Sequence, residues 1–108
     1  MGMTENLEKM LASGRDDPML RFGLGSAYFN EGELDKAILH LEACIGQDAT
    51  YTAAYKILGK ALFQTGDYVN AETILSRGLE QALSAGDKQS EKEVGVFLKK
   101  IAKEKSNG

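Results

Sequence analysis

Apolar residues recur at helical spacing in six separate runs along this chain, with glycine or proline in most of the gaps between them. Leu7, Met10 and Leu11 predict a short helix over 4–13, with Thr4 as its N-cap and Gly14 as its stop. Asp17 and Pro18 open the second. The aspartate can accept backbone N–H bonds, and proline at the first helical position removes a donor that has no partner there anyway. This helix should reach about Asn30, with Gly32 supplying the freedom for a tight turn. Ala37, Ile38, Leu41, Cys44 and Ile45 mark the buried face of a third helix from about Leu34 to Ile45, ended by Gly46. A fourth begins near Thr52 and reaches about Gln64. After Thr65-Gly66-Asp67 a fifth runs from about Tyr68 to Ser84, stopped by Gly86-Asp87. Val94, Phe97, Leu98 and Ile101 form the apolar stripe of a sixth, Lys- and Glu-rich helix over about 88–105, and Ser106-Asn107-Gly108 is expected to fray.

These runs are not independent. The stretch Leu24-Gly25-Ser26-Ala27-Tyr28-Phe29-Asn30-Glu31-Gly32 returns thirty-four residues later as Leu58-Gly59-Lys60-Ala61-Leu62-Phe63-Gln64-Thr65-Gly66. The echo continues as Ala37 answers Ala71, Leu41 answers Leu75 and Ile45 answers Leu79. A fixed period of this length marks repeat architecture. Counted back by the same period, Leu7, Met10 and Leu11 fall where Leu41, Cys44 and Ile45 lie, so the first helix reads as the second half of a preceding unit that caps the stack. Gly25 and Gly59 sit inside helices, where glycine costs roughly 0.5–1 kcal/mol relative to alanine. Close approach of the second helix of each unit would offset that cost, and the small Ala27, Ala37, Ala61 and Ala71 fit the same need. With Val94 in the first apolar slot, a third unit would begin at Glu91, five residues later than strict periodicity.

The Leu-Gly-x-x-Tyr core at Leu24, Gly25 and Tyr28, its echo at Leu58, Gly59 and Leu62, and Tyr55 where tryptophan is common resemble the tetratricopeptide repeat, a helix-turn-helix unit of this length. The resemblance is to a small stand-alone member of that family. It implies an all-α, right-handed solenoid of helical hairpins forming a single domain: repeat one over 18–51, repeat two over 52–85, an N-terminal half-repeat helix over 4–13 and a C-terminal capping helix over 88–105. It also implies an interaction scaffold rather than an enzyme.

Composition narrows the function in the same direction. With 43% hydrophobic and 27% charged residues, 108 residues can bury a modest core as one domain. The single Cys44 excludes an intramolecular disulfide framework and fits a reducing compartment. No run is long enough to span a bilayer and no secretory leader is evident, so a cytoplasmic protein without membrane attachment is expected. Met1-Gly2-Met3 suggests myristoylation, but Asn6 stands where serine or threonine is wanted. A net charge of −3 and pI near 5.1 argue against nucleic acid as partner.

His40 and Cys44, four apart, could put two metal ligands on one face. A zinc site needs three or four, however, and there is no other Cys or His, so neither a metal nor a cofactor is expected. Cys44 takes a small buried slot and His40 is expected to face outward. Gly23-Leu24-Gly25 is no dinucleotide loop, since no strand precedes it and Tyr28 stands in its third glycine position. No nucleophile elbow accompanies the lone histidine, which leaves catalysis without a base in a site. The acidic residues Glu31, Glu33, Asp35 and Glu42 read as a solvated face.

The family resemblance places ligand contacts on the first helix of each hairpin, along a concave surface. Carried over, these are Met19, Phe22, Ser26, Phe29 and Asn30 in repeat one and Ala53, Lys56, Lys60, Phe63 and Gln64 in repeat two, joined by Lys92, Lys99 and Lys103 if the last helix stacks as a third. Spacing supports the stripes Phe22/Ser26/Phe29 and Lys56/Lys60/Phe63. A basic groove on an acidic protein would attract acidic or carboxylate-bearing peptides. Some family members grip a chaperone's C-terminal carboxylate with a lysine and an asparagine in the first repeat, where this chain has Phe22 and Ser26. The expected function is therefore a protein-interaction adaptor, a monomer or weak homo-oligomer, with a self-associating assembly module as the alternative.

Overall fold

The computed structural model describes residues 2–107 and consists of six helices: α1 (Met3–Ala12), α2 (Pro18–Asn30), α3 (Leu34–Gln47), α4 (Thr52–Gln64), α5 (Tyr68–Ala85) and α6 (Lys88–Asn107). No strand occurs among the described residues. Each helix packs on the next, and α2 and α4, then α4 and α6, also touch side by side. The result is a stack of antiparallel hairpins, α2 with α3 and α4 with α5, with α1 laid on one end and α6 on the other. The core runs through it as one cluster in which Leu24, Leu41, Leu58 and Ile101 are completely buried.

Local chemistry sets the helix ends. Asp17 caps α2 by accepting from the Leu20 N–H at 2.8 Å, with Pro18 in the first turn. Gly32 and Gly66 turn the two hairpins with φ of 81° and 86°, a backbone conformation that other residues rarely take. Asp67 caps α5 through the Asn70 N–H, Gly86 closes it in the left-handed conformation, and Asp87 starts α6 by accepting from the Ser90 N–H at 3.0 Å and the Ser90 hydroxyl at 2.6 Å.

Three ends differ from expectation. Thr4 does not cap α1, because its hydroxyl donates to Glu31 Oε2 at the α2–α3 turn and the helix begins one residue earlier. Gly46 lies inside α3. Asp48 stops that helix instead, turning extended and accepting from the Thr50 N–H and hydroxyl. Ser106 and Asn107 belong to α6, with the Ser106 hydroxyl returned to the Lys103 carbonyl; Met1 and Gly108 lie outside the described residues.

The register of α6 also differs. It begins at Lys88, thirty-six residues after Thr52, so the third unit is displaced by two residues and not by five. α5 is four residues longer than α3, while the link to α6 is two residues against four between α3 and α4. This alignment places Gly25, Gly59 and Gly95 at the same position of α2, α4 and α6.

At the first two of these positions the close approach is real. A Cβ on Gly25 would lie 2.5 Å from Leu41 Cγ, and one on Gly59 would lie 2.4 Å from Leu75 Cγ, so each glycine makes room for a leucine of the following helix. Van der Waals contact at such sites depends on the missing methyl.

Candidate functional site

α2, α4 and α6 line one side of the stack, and between α4 and α6 a cavity of about 450 Å³ opens. Lys56 and Lys60, one turn apart on α4, face Lys92 on α6 across it. Leu75, Val94 and Phe97 supply apolar lining, and Val96, 64% exposed, stands at its edge. The cavity is not purely basic. Glu93 reaches across so that Lys56 Nζ donates to its Oε1 at 3.0 Å, while Gln89 Nε2 donates to Oε2 at 3.1 Å. Those two donors, Lys56 foremost, hold the Glu93 carboxyl below the usual carboxylate range. Lys60 and Lys92 make no ion pair among the described residues, so they offer the groove its uncommitted charge.

Of the candidate contacts taken from the sequence, Lys56, Lys60 and Lys92 come together here. Lys99 does not line it, and lies instead with Lys88 in an adjoining depression on α6 whose lining shares Lys92 and Val96 with the first. Phe63 is held between Tyr68 and Phe97, ring centroids 5.2 Å from each, and the Lys100 ammonium lies 5.3 Å over its face. Phe22 packs on Tyr51 at 5.1 Å. Phe29 is half-buried against the core, Asn30 and Gln64 are exposed at the ends of α2 and α4, and Met19 is exposed on the first turn of α2. Ala53 is half-buried, and the Ser26 hydroxyl is buried without a partner. Sequence reasoning missed Glu93. Residues one apart on a helix point in different directions, so Lys92 gave no signal for it, and only the position of α6 against α4 brings it to Lys56.

His40 requires a correction. It was expected on the outer face and is instead only 5% exposed. α1 covers it, with Glu8 Oε2 3.7 Å from Nε2, the Tyr28 ring stacked at 5.6 Å and Arg21 Nη1 donating to Nδ1 at 3.0 Å. Arginine only donates, so Nδ1 must be the acceptor and the ring proton sits on Nε2, toward Glu8. The apolar, half-buried Ile74 at the equivalent place in repeat two was the available signal. Arg21 is fixed in turn by a two-pronged pair with Asp16, at 2.8 and 2.9 Å, to which Gln47 also donates. The Tyr28 hydroxyl donates to Glu8, and this bond, with burial, pushes the phenol pKa up to about 12.

Burial, helped by Arg21, lowers the His40 pKa against the opposing pull of Glu8 and Asp16. The unfolded chain therefore takes up a proton below the ordinary histidine value that the folded chain resists, and stability falls as pH falls through that range. The thermal midpoint is expected to drop between about pH 7.5 and pH 5.5, a window above the titration of the carboxylates. A His40→Gln variant should show a flatter dependence over the same window, and an unchanged slope would remove His40 as the cause.

Cys44 is fully buried and its thiol is pushed up to about 11 by desolvation, so it is neither a nucleophile nor a ready ligand. Among the described residues no three His, Cys, Asp or Glu side chains converge as metal ligands, and no helix is long and apolar enough to cross a membrane.

The tetratricopeptide repeat profile matches residues 30–85, just over half of the chain. A TPR repeat-containing protein of Pseudomonas aeruginosa is 48% identical over 99 residues, which cover 92% of this chain and 94% of that protein. This chain belongs to the tetratricopeptide repeat family. A protein of Bordetella parapertussis with a known solution structure is 44% identical and superposes with a TM-score of 0.84, covering 96% of this chain and 90% of that one. A tetratricopeptide repeat domain protein of Salinibacter ruber shares the fold at 22% identity, with a TM-score of 0.73 over 80% of this chain and 87% of that chain. The family consists of protein–protein interaction modules, and TPR membership puts this chain in that class.

Proposed function

We propose that this TPR protein is a non-enzymatic adaptor whose groove between α4 and α6 takes a peptide segment carrying acidic side chains or a carboxylate. Repeat one (18–51) and repeat two (52–85) lie between α1 and α6, and α6 supplies one wall of the groove. The observation that supports the groove is the convergence of Lys56, Lys60 and Lys92 around an apolar floor, on a protein of net charge −3. A concave patch of one sign concentrates its field and attracts the opposite charge. The apolar floor contributes the part that exposed ion pairs cannot, since each is typically worth only about 0.2–1 kcal/mol. In this reading Met19 and Phe22 of α2 extend the same side. A groove this short is expected to bind at micromolar strength, on the order of −8 kcal/mol. The protein acts in the cytoplasm in this reading, without nucleic acid, membrane or cofactor.

The first variant spares the Lys56–Glu93 pair and the second releases it. A Lys60→Glu/Lys92→Glu variant, checked for folding by circular dichroism, should lose at least about tenfold in affinity for an acidic dodecapeptide with one central leucine. Glu93→Gln should bind the same peptide more tightly, because it frees Lys56. Equal binding by all three proteins would exclude the groove.

A further inference from the structure

Three glycines and three leucines follow the hairpin register in this molecule, and only two of each are matched. Leu7, Leu41 and Leu75 stand thirty-four residues apart on α1, α3 and α5. Gly25 receives Leu41 and Gly59 receives Leu75, with a virtual Cβ within 2.5 Å of the leucine in both. At Gly95 a Cβ would meet nothing within 4 Å. The notch is there, a depression of about 380 Å³ lined by Lys88, Glu91, Lys92, Gly95, Val96 and Lys99, but no helix of the described residues enters it. Among the described residues α6 is thus a first helix of a hairpin without its second.

α1 is the converse. Its Leu7 is half-buried, lying toward Gly23 of α2, while Met3 and Met10, one turn to either side, are 67% and 41% exposed. The residues in their places on α3, Ala37 and Cys44, are completely buried under α2. α1 therefore shows an apolar face of the kind that a first helix covers elsewhere in the stack.

We propose that α1 of a second copy docks on α6, with Leu7 entering the notch at Gly95 and Met3 and Met10 covering Val96. The charges agree with this pairing. Nine of the sixteen acidic residues lie in residues 1–54, and nine of the thirteen basic ones lie in residues 55–108. Lys88, Lys92 and Lys99 around the notch form no ion pair among the described residues, and Glu5 on α1 forms none either; Glu91 beside the notch and Lys9 on α1 are complementary in the reverse sense. Because the two surfaces differ, the contact is heterologous and leaves a free end on each side, so copies add head to tail. Each addition continues the row of first helices, setting α2 of one copy beside α6 of the last.

Complementary variants test this. Gly95→Leu fills the notch, where the structure has open space, and leaves α1 intact; Met3→Asp/Met10→Asp charges the face of α1 and leaves α6 intact. By sedimentation velocity the wild type should grow beyond dimer as concentration rises toward about 1 mM, and each variant alone should associate at least about tenfold more weakly. An equimolar mixture of the two should form a dimer and stop there, since only one pair of ends is competent. Circular dichroism melts confirm that both variants are folded. A wild type that stays monomeric, variants that associate like wild type, or a mixture that fails to dimerise would each overturn the proposal, the last by pointing to a contact between like surfaces.

Discussion

Replacing Gly59 by leucine is expected to abolish the cooperatively folded state. The Cβ alone would fall 2.4 Å from Leu75 Cγ, 2.5 Å from Cδ2 and 2.9 Å from Cδ1, and Leu75 is 1% exposed, with no vacant space to move into. Forcing extra carbons into a filled core typically costs about 1–3 kcal/mol and sometimes more. Leucine adds four carbons at a point where one already overlaps. α4 is also the helix with most to lose, since it packs on α2, α3, α5 and α6 and every interface of a short stack depends on its neighbours. Against a net stability of about 5–15 kcal/mol the loss is decisive. Far-UV circular dichroism should show a weakened helical signal without a cooperative melt. Gly95→Ala provides the contrast, because its methyl meets nothing, and should raise stability by roughly 0.5–1 kcal/mol through helix propensity. A Gly59→Leu protein that melts like the wild type would contradict the close-packing account of these glycines.

Much of this fold was legible because the repeat writes each instruction twice. Leu24-Gly25 and Leu58-Gly59 identify the close helix pairs, and Asp17-Pro18, Gly32, Gly66 and Gly86 carry turn and cap chemistry that acts within a few residues. What was misread lies where local signals compete or where two distant elements meet. Gly46 carries a stop signal in the sequence, yet the Asx turn at Asp48 decides the end of α3. His40 is polar and alone, and its burial depends on α1 crossing it, which no spacing within α3 reveals. The register of α6 followed its apolar stripe when the cap at Asp87 was the better marker. In the groove, periodicity assembled Lys56 with Lys60 and reached Lys92. It could not tell that Lys92 borders the groove while Lys99 falls outside it, because that depends on the rotation of α6 about its own axis against α4.

Gly78 shows the same limit and leads to the second large effect. It has no glycine counterpart, since Cys44 holds its place in repeat one, and Tyr55 opposite it replaces Arg21. The structure explains the exchange: a Cβ on Gly78 would lie 2.6 Å from Tyr55 Cβ and 3.2 Å from Cγ, so the glycine accommodates the largest fully buried side chain among the described residues. The obstacle differs in kind from that at Gly59. Leu75 meets a new methyl with its branched tip, which a smaller residue would withdraw, whereas Tyr55 meets it with a carbon fixed to the backbone. Gly78→Ala should therefore lower stability by about 1–3 kcal/mol even after its gain in helix propensity. Truncating the partner separates the two sites. In urea unfolding, Leu75→Ala should offset most of the cost of Gly59→Ala, so that the double variant is more stable than the sum of its parts predicts. Tyr55→Leu should give no such relief to Gly78→Ala, because leucine keeps the clashing Cβ. Rescue at Gly78 by Tyr55→Leu would mean that the ring, and not the backbone separation of α4 and α5, sets the need for glycine.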